Sequence, residues 1–220
     1  METVTVDSDE QAAHRAVELI ERAAASAIRE RGRFNFAVSG GKSPWRMFEL
    51  LSESSLDWSK TSMFQVDERV APTGSPERNL THLVLSLPLA CQAAIRPMPV
   101  GAEDLEAAAA EYEYSLPERL DLIHLGIGTD GHTASLVPDD PVLKVDERAV
   151  ALTGGEYQGS RRMTLTYPAI DRARKVFFLV LDGDKREAFE RLLAGDESIP
   201  AGRVANPDMV AITNIRTEAA

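Results

Sequence analysis

The sequence predicts an α/β fold in which helices cover both faces of a mainly parallel sheet. Helical patterns alternate with short apolar or β-branched runs along most of the 220 residues, which is typical of βα units. The chain is 44% hydrophobic, enough to bury one sizeable core, and it shows no internal repeat or low-complexity tract. No stretch is rich enough in Gly, Ser or Pro to mark a linker. We therefore expect one domain over residues 1–220.

The elements follow in order from the spacing of apolar residues. A long helix is predicted over 9–31, because Ala13, Val17, Ile20 and Ala24 recur at helical spacing and Gly32 follows where a C′ glycine belongs. Strands are predicted at 35–39, 62–66, 120–126, 149–152, 163–166 and 175–181. Further helices are predicted near 103–115 and 185–194, and 72–78 is the most loop-like stretch.

Composition limits the partners. The 24 Lys and Arg against 35 Asp and Glu give a formal charge of -11, which repels nucleic acid and anionic membranes, although a pocket can still be locally positive. Cys91 is the only cysteine, which favours a reducing compartment. The N-terminus is acidic where a signal peptide is basic, and the longest apolar run, 176–181, is too short to span a bilayer. We expect a cytoplasmic protein, a monomer or small homo-oligomer, with a small-molecule ligand.

Four clusters follow predicted strands, where ligands bind in open parallel sheets. The first is 39–44, Ser-Gly-Gly-Lys-Ser-Pro, whose glycines allow close backbone approach and whose following helix N-terminus favours an anion. The alternative is an ordinary strand-to-helix turn with Pro44 at the first helical position. The segment lacks the spacing of a Walker A loop.

The second cluster is Asp67-Glu68-Arg69, followed after a loop by Arg78 and Asn79. Two acids and an arginine could position a water or polarise a carbonyl. The alternative is that these charges are simply solvated at the end of a strand.

The third cluster, 125–138, presents Asp130 and His132 on a glycine turn. It matches G-x-G-x-x-G, but we reject a dinucleotide site because the motif falls mid-chain and Pro138 leaves too short a helix behind it. A histidine can take a proton near neutral pH, and a nearby carboxylate can orient it, so the pair suits general-base chemistry. The alternative is that Asp130 caps a helix and His132 lies on the surface. The other histidines show no metal-ligand spacing with His132, so we expect no metal and no cofactor.

The fourth cluster combines Arg161 and Arg162, before the strand at 163–166, with Lys185, just beyond the strand at 175–181. Arginine can grip a phosphate bidentately and lysine can add a point charge, although each is also an ordinary surface residue.

Taken in order, the segments SGGKSP, DER, R-N, GIGTDGHTASLVP, RMTLT and DGDK resemble the 6-phosphogluconolactonase family, within the superfamily that also holds glucosamine-6-phosphate deaminases. The resemblance runs from about residue 36 to 203. It implies a Rossmann-like three-layer αβα sandwich of the sugar-phosphate isomerase/deaminase-like type, with a lactone of the oxidative pentose phosphate pathway as substrate.

The resemblance also implies roles for individual residues. His132 would activate water, with Asp130 beside it, and Arg69 would face the charge of the substrate. Asp67 and Asn79 would shape the sugar side of the pocket, and Asp67 is also placed among the catalytic residues. The implied substrate- and phosphate-binding residues are Ser39, Gly40, Gly41, Lys42, Ser43, Asn79, Arg162 and Lys185.

Two departures bear on these roles. Related deaminases have a glutamate before the proline of the D-G-H segment, but this chain has Val137, which carries no proton. That difference favours a lactonase over a deaminase or isomerase, and a sugar-phosphate sensor without catalysis is the third alternative. Lys42 and Ser43 stand where the family commonly has Ser-Thr, and the tail after Ala211 resembles the family less.

Overall fold

The computed structural model describes residues 1–217, and 218–220 of the predicted domain lie outside this part. Its ten strands, in chain order, are β1 Glu2–Thr5, β2 Phe34–Val38, β3 Thr61–Gln65, β4 Asp67–Arg69, β5 Ile95–Arg96, β6 Leu122–Leu125, β7 Val150–Leu152, β8 Arg162–Leu165, β9 Val176–Val180 and β10 Met209–Thr213. The helices are α1 Asp9–Arg31, α2 Trp45–Ser52, α3 Asn79–Ser86, α4 Leu89–Gln92, α5 Leu105–Ser115, α6 Tyr167–Arg172 and α7 Arg186–Leu193. Short 3₁₀ turns lie at Trp58–Lys60, Pro141–Lys144, Gly183–Lys185 and Ala201–Arg203.

Seven strands form one parallel sheet in the order β1-β10-β9-β6-β2-β3-β5. The chain moves outward from β2 to β3 and β5, then returns to place β6 on the other side of β2. The strand order therefore reverses between β2 and β6, which is the point where open α/β sheets bind ligands beyond their carboxyl ends. The parallel α/β prediction is confirmed.

Helices cover both faces of this sheet because side chains alternate along each strand. Phe36 and Val38 of β2 pack into a core with α1, α2, α3 and α4, whereas Ala37 between them faces a second core with α5, α6 and α7. The same alternation places Phe177 of β9 on the first side and Phe178 on the second. Strands buried on both faces appear in the sequence as continuous apolar runs, which is why they could be predicted.

Helix α1 begins and ends at the residues predicted for it. The Ser8 side chain accepts a hydrogen bond from the Gln11 backbone N–H (3.2 Å), and Gly32 closes the helix in the left-handed conformation at φ 77°. Acids in its first turn and arginines in its last complement the helix dipole. No helix in residues 1–217 is long and apolar enough to cross a membrane.

The strands predicted at 149–152 and 163–166 do not join the parallel sheet. They are β7 and β8, and with β4 they form a separate antiparallel sheet of order β4-β8-β7. The cause is the chain path: β4 follows β3 after one residue, and its backbone pairs with β8 almost a hundred residues later. Four strands, β1, β4, β5 and β10, were not predicted; the first three have only two to four residues, and β1 is largely exposed.

Candidate active site

Eleven of the twelve predicted site residues line one cleft of about 400 Å³ at the carboxyl ends of β2, β3, β6 and β9. The twelfth, Asp130, lies behind His132 and contacts it directly. The loops after β2 and β6 flank the reversal of strand order, so the topology alone brings the glycine segment and the D-G-H segment together. The small sheet adds residues of β4 and β8 to one wall.

Asp130 and His132 form a closely hydrogen-bonded pair. Nδ1 of His132 lies 2.6 Å from Oδ1 of Asp130, and the same oxygen accepts the His132 backbone N–H at 3.1 Å. Burial acts to raise the pKa of the Asp130 carboxyl, but the hydrogen bonds and charge of His132 outweigh it and hold this pKa well below its usual range. An ionised carboxylate only accepts, so Nδ1 carries the hydrogen and Nε2 is the basic nitrogen. Within residues 1–217 no helix begins directly after Asp130, which excludes the capping alternative.

Two glycines make room for this pair. A Cβ on Gly128 would lie 2.1 Å from Cε1 and Nδ1 of His132 and 2.7 Å from Oδ1 of Asp130. Gly131 has φ 81°, and a Cβ there would lie 2.5 Å from Ile199. The glycines that resemble a dinucleotide motif therefore seat a carboxylate–imidazole pair, as the sequence analysis proposed in rejecting that motif.

The glycine segment after β2 is held by its neighbours. The Ser39 backbone N–H and hydroxyl both donate to the His124 carbonyl oxygen at 3.2 Å. A Cβ on Gly40 would overlap the Asn79 amide, 2.0 Å from its Oδ1, and Gly41 has φ 109°. Pro44 precedes α2 at its N-cap and is not its first helical residue. The backbone of 39–44 thus lies open to the cleft at the start of α2, a position that suits an anion.

Asp67 and Glu68 are buried, so the alternative of solvated charges is wrong. Oδ2 of Asp67 accepts the Ser135 hydroxyl (2.8 Å), and its Oδ1 and carbonyl oxygen accept the Asn79 amide (3.3 and 3.0 Å). The Glu68 carboxylate accepts four N–H groups, from the Gln65 side chain and the backbones of Arg69, Asn79 and Leu80. Sequence analysis named Glu68 only as one of two acids that could position a water, and Ser135 had no role there; in the structure they tie β4 to α3 and to the D-G-H segment.

Two arginines stand side by side on the small sheet, where Arg69 and Arg162 are directly paired across β4 and β8. Nη1 of Arg69 donates to the Glu77 carbonyl (2.5 Å), and Nη2 of Arg162 donates to the Tyr157 carbonyl (2.9 Å). The Nε of each is buried and has no partner in residues 1–217. Burial, and next the charge of Arg69, lower the pKa of Arg162. Two like charges directly opposite each other repel. An anionic ligand between the two guanidinium groups would relieve this repulsion.

Arg161 points away from the cleft. Its Nε donates to the Thr153 carbonyl oxygen (3.1 Å), and its guanidinium pairs with Glu106. Arg162 is therefore the member of the pair that faces the cleft.

Lysines complete the positive lining. Lys185 follows β9, is mostly buried, and pairs with Asp182 at 2.8 Å. Lys42 is exposed at the cleft rim.

Sequence analysis missed Tyr157 and Gln158, at the tip of the loop between β7 and β8. The Tyr157 hydroxyl donates to Oδ2 of Asp130 (2.8 Å) and lies 3.2 Å from Nδ1 of His132. The Gln158 amide donates to the Tyr157 oxygen (3.2 Å). Burial, followed by the hydrogen bond to Asp130, raises the pKa of Tyr157 to about 12, so the hydroxyl is a donor at neutral pH. Gly155 and Gly159 flank these two residues, which is typical of a turn, but no local pattern shows where such a turn lies in the fold.

His124 of β6 lies under the glycine segment, and the sequence analysis considered it only as a metal ligand. It is 1% exposed, packs against Phe48 and Phe177, and neither ring nitrogen has a partner in residues 1–217. Burial lowers its pKa to about 3, so its ring is neutral. Within the same residues, no group of three His, Cys, Asp or Glu is arranged to hold a metal ion.

A family model described as glucosamine-6-phosphate isomerases/6-phosphogluconolactonase matches residues 7–213. A 6-phosphogluconolactonase of Synechocystis is 37% identical over 196 residues, covering 82% of this chain and 80% of the relative. A 6-phosphogluconolactonase of Streptomyces coelicolor is 34% identical and covers 89% and 87% of the two chains. The human GDH/6PGL endoplasmic bifunctional protein is 37% identical over 76% of this chain but only 23% of its own.

Solved structures agree on the fold. A 6-phosphogluconolactonase of Shewanella baltica superposes with a TM-score of 0.88 at 23% identity, covering 97% of each chain. A monomeric glucosamine-6-phosphate deaminase also superposes, with a TM-score of 0.83 at 17% identity over 97% of each chain. The fold is therefore common to both chemistries, and the side chains of the cleft must distinguish them.

Proposed function

Since the chain belongs to the 6-phosphogluconolactonase family and is a lactone hydrolase, we propose that it hydrolyses 6-phosphogluconolactone with His132 as the general base. The observation that carries the proposal is the 2.6 Å contact between His132 and Asp130 at the edge of the cleft. It fixes the proton on Nδ1 and leaves Nε2 to accept one. The activity places the enzyme in the pentose phosphate pathway.

The reaction needs one proton to be moved twice. Nε2 of His132 takes a proton from water as the water oxygen attacks the lactone carbonyl carbon, giving a tetrahedral oxyanion. When the bond from this carbon to the ring oxygen breaks, the imidazolium returns the proton to that oxygen, and the acid and the freed hydroxyl are the products. Asp130 stabilises the imidazolium while it carries the proton.

The positive side of the cleft would bind the charged parts of the substrate. We propose that the backbone of Ser39, Gly40 and Gly41, with Lys185 and Arg162, holds the phosphate, and that Arg69 faces the charge that develops at the carbonyl oxygen. The unpartnered Nε atoms of both arginines support this assignment. Lys42 and Ser43 would contact the phosphate from the rim.

The sugar side would be shaped by Asp67 and Asn79. Both line the cleft, but the Asp67 carboxylate already accepts from Ser135 and Asn79. We propose that Asp67 acts by fixing the wall of the cleft and the D-G-H segment.

The test is lactone hydrolysis above the spontaneous rate, followed by acid release, with EDTA present. His132→Ala should lower the rate by about 10²–10⁴-fold, the usual contribution of a positioned base. His14→Ala is the control, since His14 is an exposed histidine of α1. No acceleration by the unmodified chain would contradict the lactonase. Full activity of His132→Ala would contradict only the role of His132 as the general base.

Val137 sets this chain apart from a deaminase. It is 4% exposed and supplies no carboxylate beside His132 for ring opening. We expect no ammonia release from glucosamine 6-phosphate. Binding of 6-phosphogluconate without any lactone turnover would instead favour a sensor.

We further propose that residues 1–220 are one domain acting in the cytoplasm as a monomer or small homo-oligomer, without cofactor, metal, nucleic acid or membrane. The net charge of -11 and the single, buried Cys91 support this proposal. Light scattering measures the oligomeric state.

A further inference from the structure

Tyr157, in the loop between β7 and β8 of the small sheet, contacts the Asp130–His132 pair. Its hydroxyl donates to the Asp130 oxygen that His132 does not use, so the carboxylate is bound on Oδ1 by the imidazole and on Oδ2 by the phenol. The Tyr157 ring packs edge-on against the His132 ring, with centroids 5.3 Å apart.

The direction of this hydrogen bond is fixed by its neighbours. The Gln158 amide donates to the Tyr157 oxygen, and ionised Asp130 can only accept, so the phenolic hydrogen points to Asp130. Gln158 holds φ 52°, an uncommon conformation for a residue with a side chain. The three groups therefore form a directed chain, from amide to phenol to carboxylate.

Tyr157 also touches the anion-binding side. The Arg162 guanidinium lies 5.3 Å from the centre of the Tyr157 ring and donates to the Tyr157 carbonyl oxygen. Tyr157 thus contacts both the Asp130–His132 pair and an arginine that we propose binds phosphate.

We infer that Tyr157 is a positioning residue that tunes the base: its hydroxyl shares the charge of Asp130 and thereby sets how firmly His132 holds a proton. This inference rests on the proposed function. The hydrogen bond that the Tyr157 hydroxyl donates to Oδ2 stabilises the negative charge of Asp130, which leaves the carboxylate a weaker acceptor for the His132 ring on Oδ1. Without the hydroxyl, Asp130 stabilises the imidazolium more strongly, and His132 stays protonated, and therefore inactive as a base, up to a higher pH.

Other charged or titratable groups face the same cleft and would act on His132 equally in the unmodified chain and in a Tyr157→Phe variant. They are Lys42 of the glycine segment, Asp67 and Arg69 of β4, His124 of β6, Arg162 of β8, and Asp182, Asp184 and Lys185 after β9. Tyr157→Phe keeps the ring against His132 and Arg162, and it removes only the hydroxyl.

The experiment measures kcat and KM for the lactone across pH in Tyr157→Phe. We expect the acid limb of the kcat profile to move up by about half to one pH unit, so that kcat falls by about three- to tenfold on that limb and by less near neutral pH, while KM changes less than about twofold. Higher pH should restore part of the rate. Tyr114→Phe, at a tyrosine that is 94% exposed, is the matched control.

Two further outcomes separate the inference from its premise. In the Asp130→Asn background the Tyr157→Phe exchange should add little, because its acceptor has lost its charge. An unmoved acid limb, or a change in KM alone, would overturn the inference while His132→Ala still tests the base. If His132→Ala kept full activity, the proposed function would fail first.

Discussion

The two sheets build opposite sides of one cleft by different means. The seven-stranded sheet contributes its loops: the glycine segment after β2, the Asp130–His132 pair after β6 and Lys185 after β9. The three-stranded sheet contributes side chains from the strands themselves, Arg69 from β4 and Arg162 from β8. The base thus belongs to the large sheet and the paired arginines to the small one. Substitutions that displace the base should therefore alter kcat, and substitution of the proposed phosphate-binding Arg162 should alter KM.

The largest effect should come from Gly128→Ala in the large-sheet loop. The new Cβ would lie 2.1 Å from the His132 ring, so the imidazole must leave its place beside Asp130. We expect kcat to fall by about 10²-fold or more, the scale of a positioned base. Gly101→Ala, where a Cβ meets nothing within 4 Å, should match the unmodified chain. Equal activity of both variants would show that catalysis does not need His132 in its place beside Asp130.

The next effect is on stability, at the joint of the two sheets. Each carboxylate oxygen of Glu68 accepts two hydrogen bonds at a site that is 0% exposed, and Glu68→Gln replaces one of these oxygens by an amide nitrogen that donates. The free energy of unfolding should fall by about 2–4 kcal/mol, measured by urea denaturation. Glu53→Gln, on the surface, should change it by less than about 0.5 kcal/mol. An unchanged midpoint in Glu68→Gln would contradict a joint held by this carboxylate.

Sequence analysis succeeded where local pattern determines structure. The capped stripe of 9–31 and the apolar runs of β2, β3, β6 and β9 follow from burial on both faces of a parallel sheet, and the D-G-H segment follows β6 as predicted. Two strands of the small sheet, β7 and β8, were predicted but not their separation from the parallel sheet, because their partner β4 has only three residues and pairs with β8 about a hundred positions away. Tyr157 was missed for the same reason, since its contact with Asp130 spans 27 residues and depends on how a loop folds.

The paired arginines give a prediction in which function and stability move in opposite directions. Arg162→Met removes a buried, partly unsatisfied charge that faces Arg69, so the Tm without ligand should stay the same or rise. KM for the lactone should rise by about 10–100-fold with the acid limb unmoved. Arg161→Met is the control, because Arg161 pairs with Glu106 away from the cleft. A shifted acid limb with unchanged KM would contradict a binding role for Arg162.

The smallest effect concerns His124, a buried polar side chain of the large sheet beneath the cleft. Its pKa is about 3 in the folded chain and near 6.5 when unfolded, so between these values the unfolded chain binds more protons and stability falls as pH falls. The loss should reach about 1.4 kcal/mol at pH 5.5, relative to pH 8. His124→Leu should remove this part of the acid sensitivity in urea denaturation, whereas His14→Leu, at an exposed position, should retain it. If His124→Leu kept the same pH dependence, the buried imidazole would not be its source.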